Sequence, residues 1–485
     1  MSFPTSPWGL YGWLQSRATD AHAWLQTRSV DQSSYKLDGD EIAETVENVF
    51  TRTNFPDHGD GTLEAKRLKW ASLLRDFQTY GRFSFGNDVA IVEGGDMCFP
   101  LMLEQIDMAQ TRVWCESYIF DSSDVGRSFV DAFLRAARRG CDVILLVDYI
   151  GGFNLRSDWV HELRRAGIEV TFFNPVLPSS ACTGPASFRD HRKILICDEV
   201  GFTGGMNIHE ETGGEAYGTD KFYDVHAMLR GPCVADLADV LRDSLLESGS
   251  RIARRPIQPP KRIEPGVYVQ ILESNVRQRR RTLQSVIQGG IDAADDYVCL
   301  SSAYFFPPGF LRRALSGVPS RGAKLSLLLS GCSEFHPLPG DQLAQSHFLH
   351  RFLTETARYQ DRVVVHLYGK KHMHAKHLSI DGVFATIGSF NFDLYSARRN
   401  LEVGVMVFDH RCARKLQHMH ESKIPDSRRT TLKDPTYHQP IYRVACAIVY
   451  GFIRLSGRNF FDGLDCFERK WLVRKAALTF LLEEQ

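Results

Sequence analysis

The sequence predicts an α/β protein made of two tandem copies of one unit, with helical extensions at both ends. Two observations carry this. Strand-like and helical runs alternate in the same order through both halves, the pattern of a sheet whose faces are covered by helices. One constellation also occurs twice. His374, Lys376 and Asp381, followed by Ser389 and Asn391, repeat His191, Lys193 and Asp198, followed by Gly205 and Asn207. The two histidines lie 183 residues apart. Chance does not account for two such matches at corresponding positions, and an internal duplication does.

In chain order, residues 1–82 form a helical extension. Ile42, Val46, Val49 and Phe50 fall at helical spacing, as do Trp70, Leu73, Leu74 and Phe77. Within the first 30 residues, Trp8, Trp13 and Trp24 alternate with Leu10, Leu14 and Leu25. This fits an interfacial helix, because indole rings favour the headgroup layer, and fits equally a helix docked on the protein body. Arg17 and Arg28 against one Asp20 also allow an organellar presequence. The first unit occupies 83–250. It opens with a short strand at Val89–Ile91 and then alternates helix and strand up to Ile168–Phe173. A proline-rich loop follows and delivers His191. A linker, 251–265, holds Pro256, Pro259 and Pro260 with five basic residues. The second unit, 266–410, runs from a strand at Val267–Leu272 through the same succession to His374. Residues 411–485 read as a helical tail, with Ile441, Val444, Ala445, Ile448 and Ile453 near helical spacing.

Composition narrows the class. A chain of 485 residues is too long for one simple core. Hydrophobic content of 43% and charged content of 24% are those of an ordinary globular protein. The 58 basic and 58 acidic residues cancel, which argues against a dedicated nucleic-acid surface while leaving a local patch open. The 11 cysteines are scattered, odd in number and form no CxxC. That pattern indicates free, mostly buried thiols in a reducing compartment, not a disulfide frame or a zinc site. No apolar run reaches the roughly 18 residues needed to span a bilayer. The nearest, Ile441 to Leu455, is interrupted by Arg443 and Arg454.

The repeated motif has a chemical reading. Histidine and lysine at alternate positions of a strand share one face, and an imidazole beside an ammonium suits an anion such as phosphate. A buried strand with a chance histidine would read the same way in a single copy; the second copy removes that reading. A phosphodiester is a poor electrophile with a poor leaving group, so covalent catalysis splits its transfer into two easier displacements. One neutral histidine attacks phosphorus and the other, protonated, donates to the leaving oxygen. Lys193 and Lys376 neutralise the equatorial oxygens, and Asn207 and Asn391 donate amide hydrogen bonds to them. Gly205 and Ser389 are placed with the asparagines at the phosphate. Two lysines and a proton carry the electrostatic load, so the reading needs neither metal nor cofactor. One departure separates the copies. Asp198 to Asn207 spans nine steps and Asp381 to Asn391 ten. A deletion in the turn at Glu199-Val200 leaves Gly204, Gly205 and Asn207 in place, whereas a slip along the strand would invert its side chains.

The pair of motifs resembles the double His-x-Lys-x4-Asp signature of the phospholipase D superfamily. The resemblance narrows further. Tyr118 to Asp121, Asp124-Val-Gly126, Arg189 to Lys193, Ala303 to Phe306 and Gly388 to Asp393, with Ser396, Asn400 and Glu402, look like bacterial-type cardiolipin synthases, in the form without two N-terminal membrane spans. The likeness covers roughly residues 85–410. It implies two phospholipase D-like α/β domains packed as a pseudo-twofold dimer. It also implies His191 as nucleophile, His374 as acid and then base, structural roles for Asp198 and Asp381, and Asp224 and Glu402 as the carboxylates that orient the imidazoles. The implied reaction joins two phosphatidylglycerols into cardiolipin and glycerol through a phosphatidyl-histidine. Resolution by water would instead make phosphatidic acid, and a phosphodiesterase or nuclease of the same superfamily is the further alternative. The implied partners are phosphatidylglycerol or a related anionic phospholipid and a membrane surface, with no nucleic acid; oligomeric state stays open. The implied location is membrane-associated and facing a reducing compartment, at a mitochondrial inner or bacterial plasma membrane. The basic cluster Arg277, Arg279, Arg280 and Arg281 fits attraction to anionic lipid or a solvated helix start.

Overall fold

One long strand makes the seam between the two halves. The computed structural model describes residues 38–53, 63–81, 83–176, 188–218, 222–250, 254, 256–275, 280–333 and 339–453. The N-terminal tryptophans, Arg277, Arg279 and the tail beyond 453 lie outside the described residues. Strand β1 (Phe83–Glu93) runs for 11 residues, where the sequence predicted a short strand at 89–91. It is long because its two ends serve different partners. Asp88 to Glu93 pair antiparallel with β8 (Val225–Arg230), and Phe83 to Asn87 pair antiparallel with β9 (Val267–Asn275). The partners change at a bulge where Gly86 takes a φ of 82°, a conformation open to glycine without a Cβ penalty. The Asn87 side chain pins the bulge: its NH2 donates to the carbonyls of Ser84 and Val267, and its oxygen accepts from the Cys233 N–H.

The first half contributes β2 (Arg112–Ser117), β3 (Asp142–Asp148), β4 (Glu169–Phe173), β5 (Lys193–Cys197), β6 (Val200–Gly204) and the short β7 (Phe222–Tyr223). The second contributes β10 (Arg280–Arg281), β11 (Tyr297–Ser302), β12 (Lys324–Ser330), β13 (Val363–Tyr368), the short β14 (His372–Met373), β15 (His377–Ile380), β16 (Phe384–Gly388) and β17 (Glu402–Phe408). The order β4-β3-β2-β5-β6-β8-β1 is repeated as β13-β12-β11-β15-β16-β17-β9, and the β1–β9 pairing fuses the two into one sheet. In each half the first three strands are parallel and the motif hairpin is antiparallel to them. The run Val143 to Val147 on β3 is wholly buried, as a parallel strand covered on both faces must be.

The helices repeat as well. In the first half they are α3 (Gly95–Met108), α4 (Asp124–Arg138), α5 (Ser157–Arg165) and α6 (Cys233–Glu247). In the second they are α7 (Thr282–Ala293), α8 (Gly309–Gly317), α9 (Gly340–Glu355) and, after the short α10 (Leu394–Arg398), α11 (His410–Ser422). The expectation of a helical tail from residue 411 is corrected here. Helix α11 answers to α6 and belongs to the second half, with Cys412, Ala413, Leu416 and Met419 in the core. Residues 427–430 are a strand, β18 (Ser427–Thr430), antiparallel to β13 at the sheet edge. After a short 3-10 helix at Pro435–His438, the chain is α-helical again over 440–453.

The N-terminal extension is part of the second half's core. Helices α1 (Gly39–Thr51) and α2 (Leu63–Phe77) bury Ile42, Val46, Phe50 and Trp70 against it. The Trp70 ring, fully buried, lies 5.6 Å from both Phe384 and Phe408.

The hairpins explain the missing residue. Cys197 pairs with Val200 across a two-residue turn, and Ile380 pairs with Phe384 across a three-residue turn. The registers beyond are equivalent, Ile194 with Thr203 and His377 with Ile387. The deletion is confined to the turn, and the residues after it keep their faces. The cysteines among the described residues are free, and all but Cys332 are buried. Among the described residues no helix is long and apolar enough to cross a membrane.

Because Trp70 seals α2 onto β16 and β17, we predict that Trp70→Ala costs about 3–5 kcal/mol. Chemical denaturation reads this as a lowered midpoint for the second half; an unmoved midpoint would mean that the extension folds apart from it.

Candidate active site

Backbone ladders between the halves deliver the two histidines. The His191 N–H donates to the Leu401 carbonyl at 2.9 Å, and the Leu401 N–H donates to the Arg189 carbonyl at 2.9 Å. The segment before β5 therefore runs beside the segment before β17. On the other side β14 pairs in parallel with β7, and the N–H groups of His374 and Ala375 both donate to the Tyr223 carbonyl, at 2.8 and 3.0 Å. His374 and Lys376 thus lie in extended chain between β14 and β15, not inside a strand as expected. The alternation that sends both side chains one way is kept.

The ladders place each imidazole on a carboxylate of the other half. His191 Nδ1 is 3.1 Å from Glu402 Oε2, and His374 Nδ1 is 2.5 Å from Asp224 Oδ2. A carboxylate only accepts, so each Nδ1 carries the proton and each Nε2 is left for a substrate. The sequence singled out both carboxylates without saying which histidine each serves. The structure pairs them crosswise.

Gly205 and Ser389, expected at the phosphate, sit against these carboxylates instead. A Cβ at Gly205 would fall 2.1 Å from Asp224 Oδ1, so glycine makes the room the carboxylate occupies. The Ser389 hydroxyl donates to Glu402 Oε2, and Asn400 Nδ2 donates to Glu402 Oε1 at 3.2 Å. Asp198 and Asp381, grouped with the catalytic residues on the motif and given a structural role by the family resemblance, lie in the hairpin turns. Asp198 accepts from the backbone N–H groups of Gln110, Thr111 and Arg112, and Asp381 from those of Asp295, Asp296 and Tyr297. They tie the hairpin turns to the loops before β2 and β11, at the far ends of β5 and β15 from the histidines.

The lysines and asparagines do reach the site. Lys193 Nζ donates to the His191 carbonyl at 2.7 Å and lies 5.2 Å from the centre of the Tyr118 ring. Lys376 Nζ donates to the His374 carbonyl. Asn207 accepts from the Ile119 N–H at 3.2 Å, which orients its amide and leaves the NH2 without an acceptor among the described residues. Asn391 is buried in the equivalent place after β16, and its side-chain oxygen has no partner among the described residues.

Burial dominates the electrostatics. It pushes His191 below the ordinary imidazole range, Glu402 opposing and Lys193 and Lys376 adding to the drop. It pushes His374 well below that range, with Lys376, His372 and Lys193 acting the same way. Burial lowers Lys193 to about 7, against the pull of Glu402. For Glu402 burial raises the carboxyl, but His191, Lys193 and Ser389 outweigh it and the group stays ionised. Asp224 is raised, by burial first.

Three residues of this pocket lie outside the repeated histidine–lysine motif. Tyr118 lies 4.9 Å from His191, ring centre to ring centre, Phe222 stacks on His374 at 5.4 Å, and His372 lies 6.1 Å from His374. Tyr118 was within reach of sequence reading, because the repeated segment holding it has Ala303 in the second half. Phe222 and His372 come together only through the β7–β14 pairing.

Duplicated half-sheets with two histidine–lysine pairs facing across their junction define a protein of the phospholipase D-like class. The family model described as "Cardiolipin synthase, PLD-like domain" matches residues 102–215 and 287–423, and the chain belongs to that family. The cardiolipin synthase of Geobacillus thermodenitrificans is 28% identical over 334 residues, 67% of this chain and 64% of that protein. Cardiolipin synthase B of Escherichia coli K12 is 28% identical over 328 residues, 67% of this chain and 77% of that one. The match therefore spans less than two-thirds of the Geobacillus relative's length. Among solved structures, phosphatidylserine synthase of Haemophilus influenzae superposes with a TM-score of 0.61 at 13% identity, over 79% of this chain and 98% of that one, a likeness of fold.

We predict that Asp224→Asn and Glu402→Gln each slow turnover of a soluble phosphodiester by about 10³–10⁴, as loss of a tautomer-fixing carboxylate does. Gly205→Ala should mimic the first by displacing Asp224. Asp381→Asn should lower the denaturation midpoint and leave turnover per folded molecule intact; a slowed folded Asp381→Asn enzyme would contradict the structural assignment.

Proposed function

We propose that this chain is a phosphatidyltransferase of the cardiolipin synthase type, joining two phosphatidylglycerols into cardiolipin and releasing glycerol. The observation that carries the chemistry is the crosswise bonding: two imidazoles with Nδ1 engaged share one pocket with two ammonium groups. Kinship with cardiolipin synthases supports the lipid substrate, and a membrane surface is where that substrate is met. The free, buried thiols support a reducing side of the membrane.

In the first displacement His191 Nε2 bonds to phosphorus as the bond to the glycerol oxygen breaks, and His374 gives that oxygen its proton. In the second, His374 takes the proton of the glycerol hydroxyl on another phosphatidylglycerol. The hydroxyl oxygen then bonds to phosphorus as the P–N bond to His191 breaks. Lys193 and Lys376 meet the charge on the equatorial oxygens, and Asn207 and Asn391 donate to them. Burial and the lysines hold both imidazoles neutral in the free site. The anionic phosphodiester supplies the charge that lets His374 hold a proton.

The test offers phosphatidylglycerol in liposomes and identifies products by mass spectrometry. Cardiolipin with glycerol is expected. Phosphatidic acid alone would make water the acceptor, and DNA cleavage without lipid turnover would replace the proposal with a nuclease. The histidine roles separate on a substrate whose leaving group needs no proton: His374→Ala should still accumulate a phosphatidyl-enzyme and His191→Ala should not. The reverse pattern would exchange the roles.

The pH profile has a predicted sign. Protonation of the nucleophile sets the acid limb of kcat/KM below the ordinary imidazole range, because burial lowers His191. Proton uptake by His374, lowered in the free site, already makes kcat/KM decline with rising pH, and loss of the Lys193 proton should steepen that decline above about pH 7, since the free-enzyme ammonium is pushed down to about 7. In kcat that alkaline limb should move up, because bound phosphate stabilises the ammonium. Coincident limbs in kcat and kcat/KM would remove Lys193 from the phosphate.

A further inference from the structure

The helix over residues 440–453 is docked by an unusual face. Tyr442 bonds through its hydroxyl to Ser346 at 3.0 Å, Tyr450 stacks on His347 at 4.8 Å, and Cys446 is buried beneath it. The opposite face carries Ile441, Val444, Ile448 and Phe452, spaced as one helical stripe and 86%, 59%, 66% and 70% exposed. An ordinary surface helix turns such a stripe inward.

Cationic groups flank the helix that carries the stripe. A pocket of about 240 Å³ beside Tyr450 is walled by Pro307, Pro308, Phe348 and Leu394 and holds Arg312, Arg351 and Arg398. Arg312 is paired with Glu355. Arg351 and Arg398 have no carboxylate partner among the described residues. Arg443, on the helix itself, lines the neighbouring pocket with His347, His350 and His438. One segment serves both the arginine pocket and the active site: Asn391 and Asn400 lie in the site, and Leu394 and Arg398, between them in the chain, line the pocket. The two halves differ here. By the matching bridges Phe120 to Ile208 and Phe305 to Phe392, the first half has Ser122, Ser123 and Asp124 where the second has Pro307, Pro308 and Gly309.

We propose that residues 440–453 and the Arg351–Arg398 pocket form a docking surface for an anionic phospholipid leaflet. The stripe enters the acyl boundary and the two arginines take headgroup phosphates. Amphipathic helices bind membranes through such a combination of apolar area and basic charge. The inference rests on the phosphatidyltransferase reading for its choice of lipid.

The test is flotation of the full chain with phosphatidylglycerol/phosphatidylcholine vesicles, run beside turnover of dihexanoyl phosphatidylglycerol below its micellar concentration. The double variant Ile448→Glu, Phe452→Glu should lose at least about tenfold in vesicle partitioning, from the apolar area withdrawn, and keep turnover of the soluble substrate. Arg351→Ala with Arg398→Ala should weaken binding about tenfold to vesicles containing phosphatidylglycerol and leave binding to pure phosphatidylcholine unchanged. Unchanged partitioning of the glutamate variant would overturn the proposal, whether residues 454–485 or a second copy of the chain covers the stripe. Lost partitioning in a protein that never turns over the soluble substrate would uphold the docking surface and reject the enzymatic reading.

Discussion

Each imidazole of this site is oriented by a carboxylate that belongs to the other half of the chain. That single arrangement constrains much of the rest. Neither half holds a finished histidine–carboxylate pair, so the seam at β1 and β9 and the two short ladders beside the histidines must form before any chemistry can. It also makes burial affordable. Glu402, Asp224, Lys193 and Lys376 are all nearly inaccessible, and an isolated charge in such a place would neutralise or unfold its surroundings. Here each charge is answered by an opposite one or by fixed dipoles, and the network stands only when complete.

The duplication has kept its backbone and let its buried polar chemistry diverge. Beneath the first half Arg192 is fully buried, bonded to Glu273 at 3.0 Å and to Ser244 at 2.7 Å, and Ser244 in turn bonds to Glu116. The second half has Ala375 at the position of Arg192 and Ser301 at that of Glu116. Its polar contacts run instead through His420 of α11, to Ser301 at 3.1 Å and Ser326 at 2.8 Å. Removing one member of a buried charged set is costly, while replacing the set together is tolerated. That is the physical reason the two halves differ by whole clusters and not by single residues.

Much of the site was legible in the chain. The repeat, the two histidine–lysine pairs, the asparagines, both orienting carboxylates and the placing of the short hairpin in its turn followed from spacing and from family resemblance. What escaped was contact between segments distant in sequence. Gly205 and Ser389 looked like phosphate ligands because they stand beside the asparagines, yet their neighbours are carboxylates on strands that only the sheet brings alongside. The length of β1 escaped for a similar reason. Its first residues pair with a strand of the other half, and no local periodicity records a change of partner. The tail looked uniformly helical because an edge strand of four residues leaves almost no pattern.

The sequence by itself determined the duplication, the α/β class and the two histidine–lysine pairs, since these are written in local period and in spacing within each copy. The tertiary structure alone decided which carboxylate serves which histidine, that the N-terminal helices complete the second half, and which face of the last described helix is turned outward. Each of these depends on the packing of one segment against another far away in the chain. Side-chain chemistry says that a histidine wants an acceptor; only the closed sheet says whose.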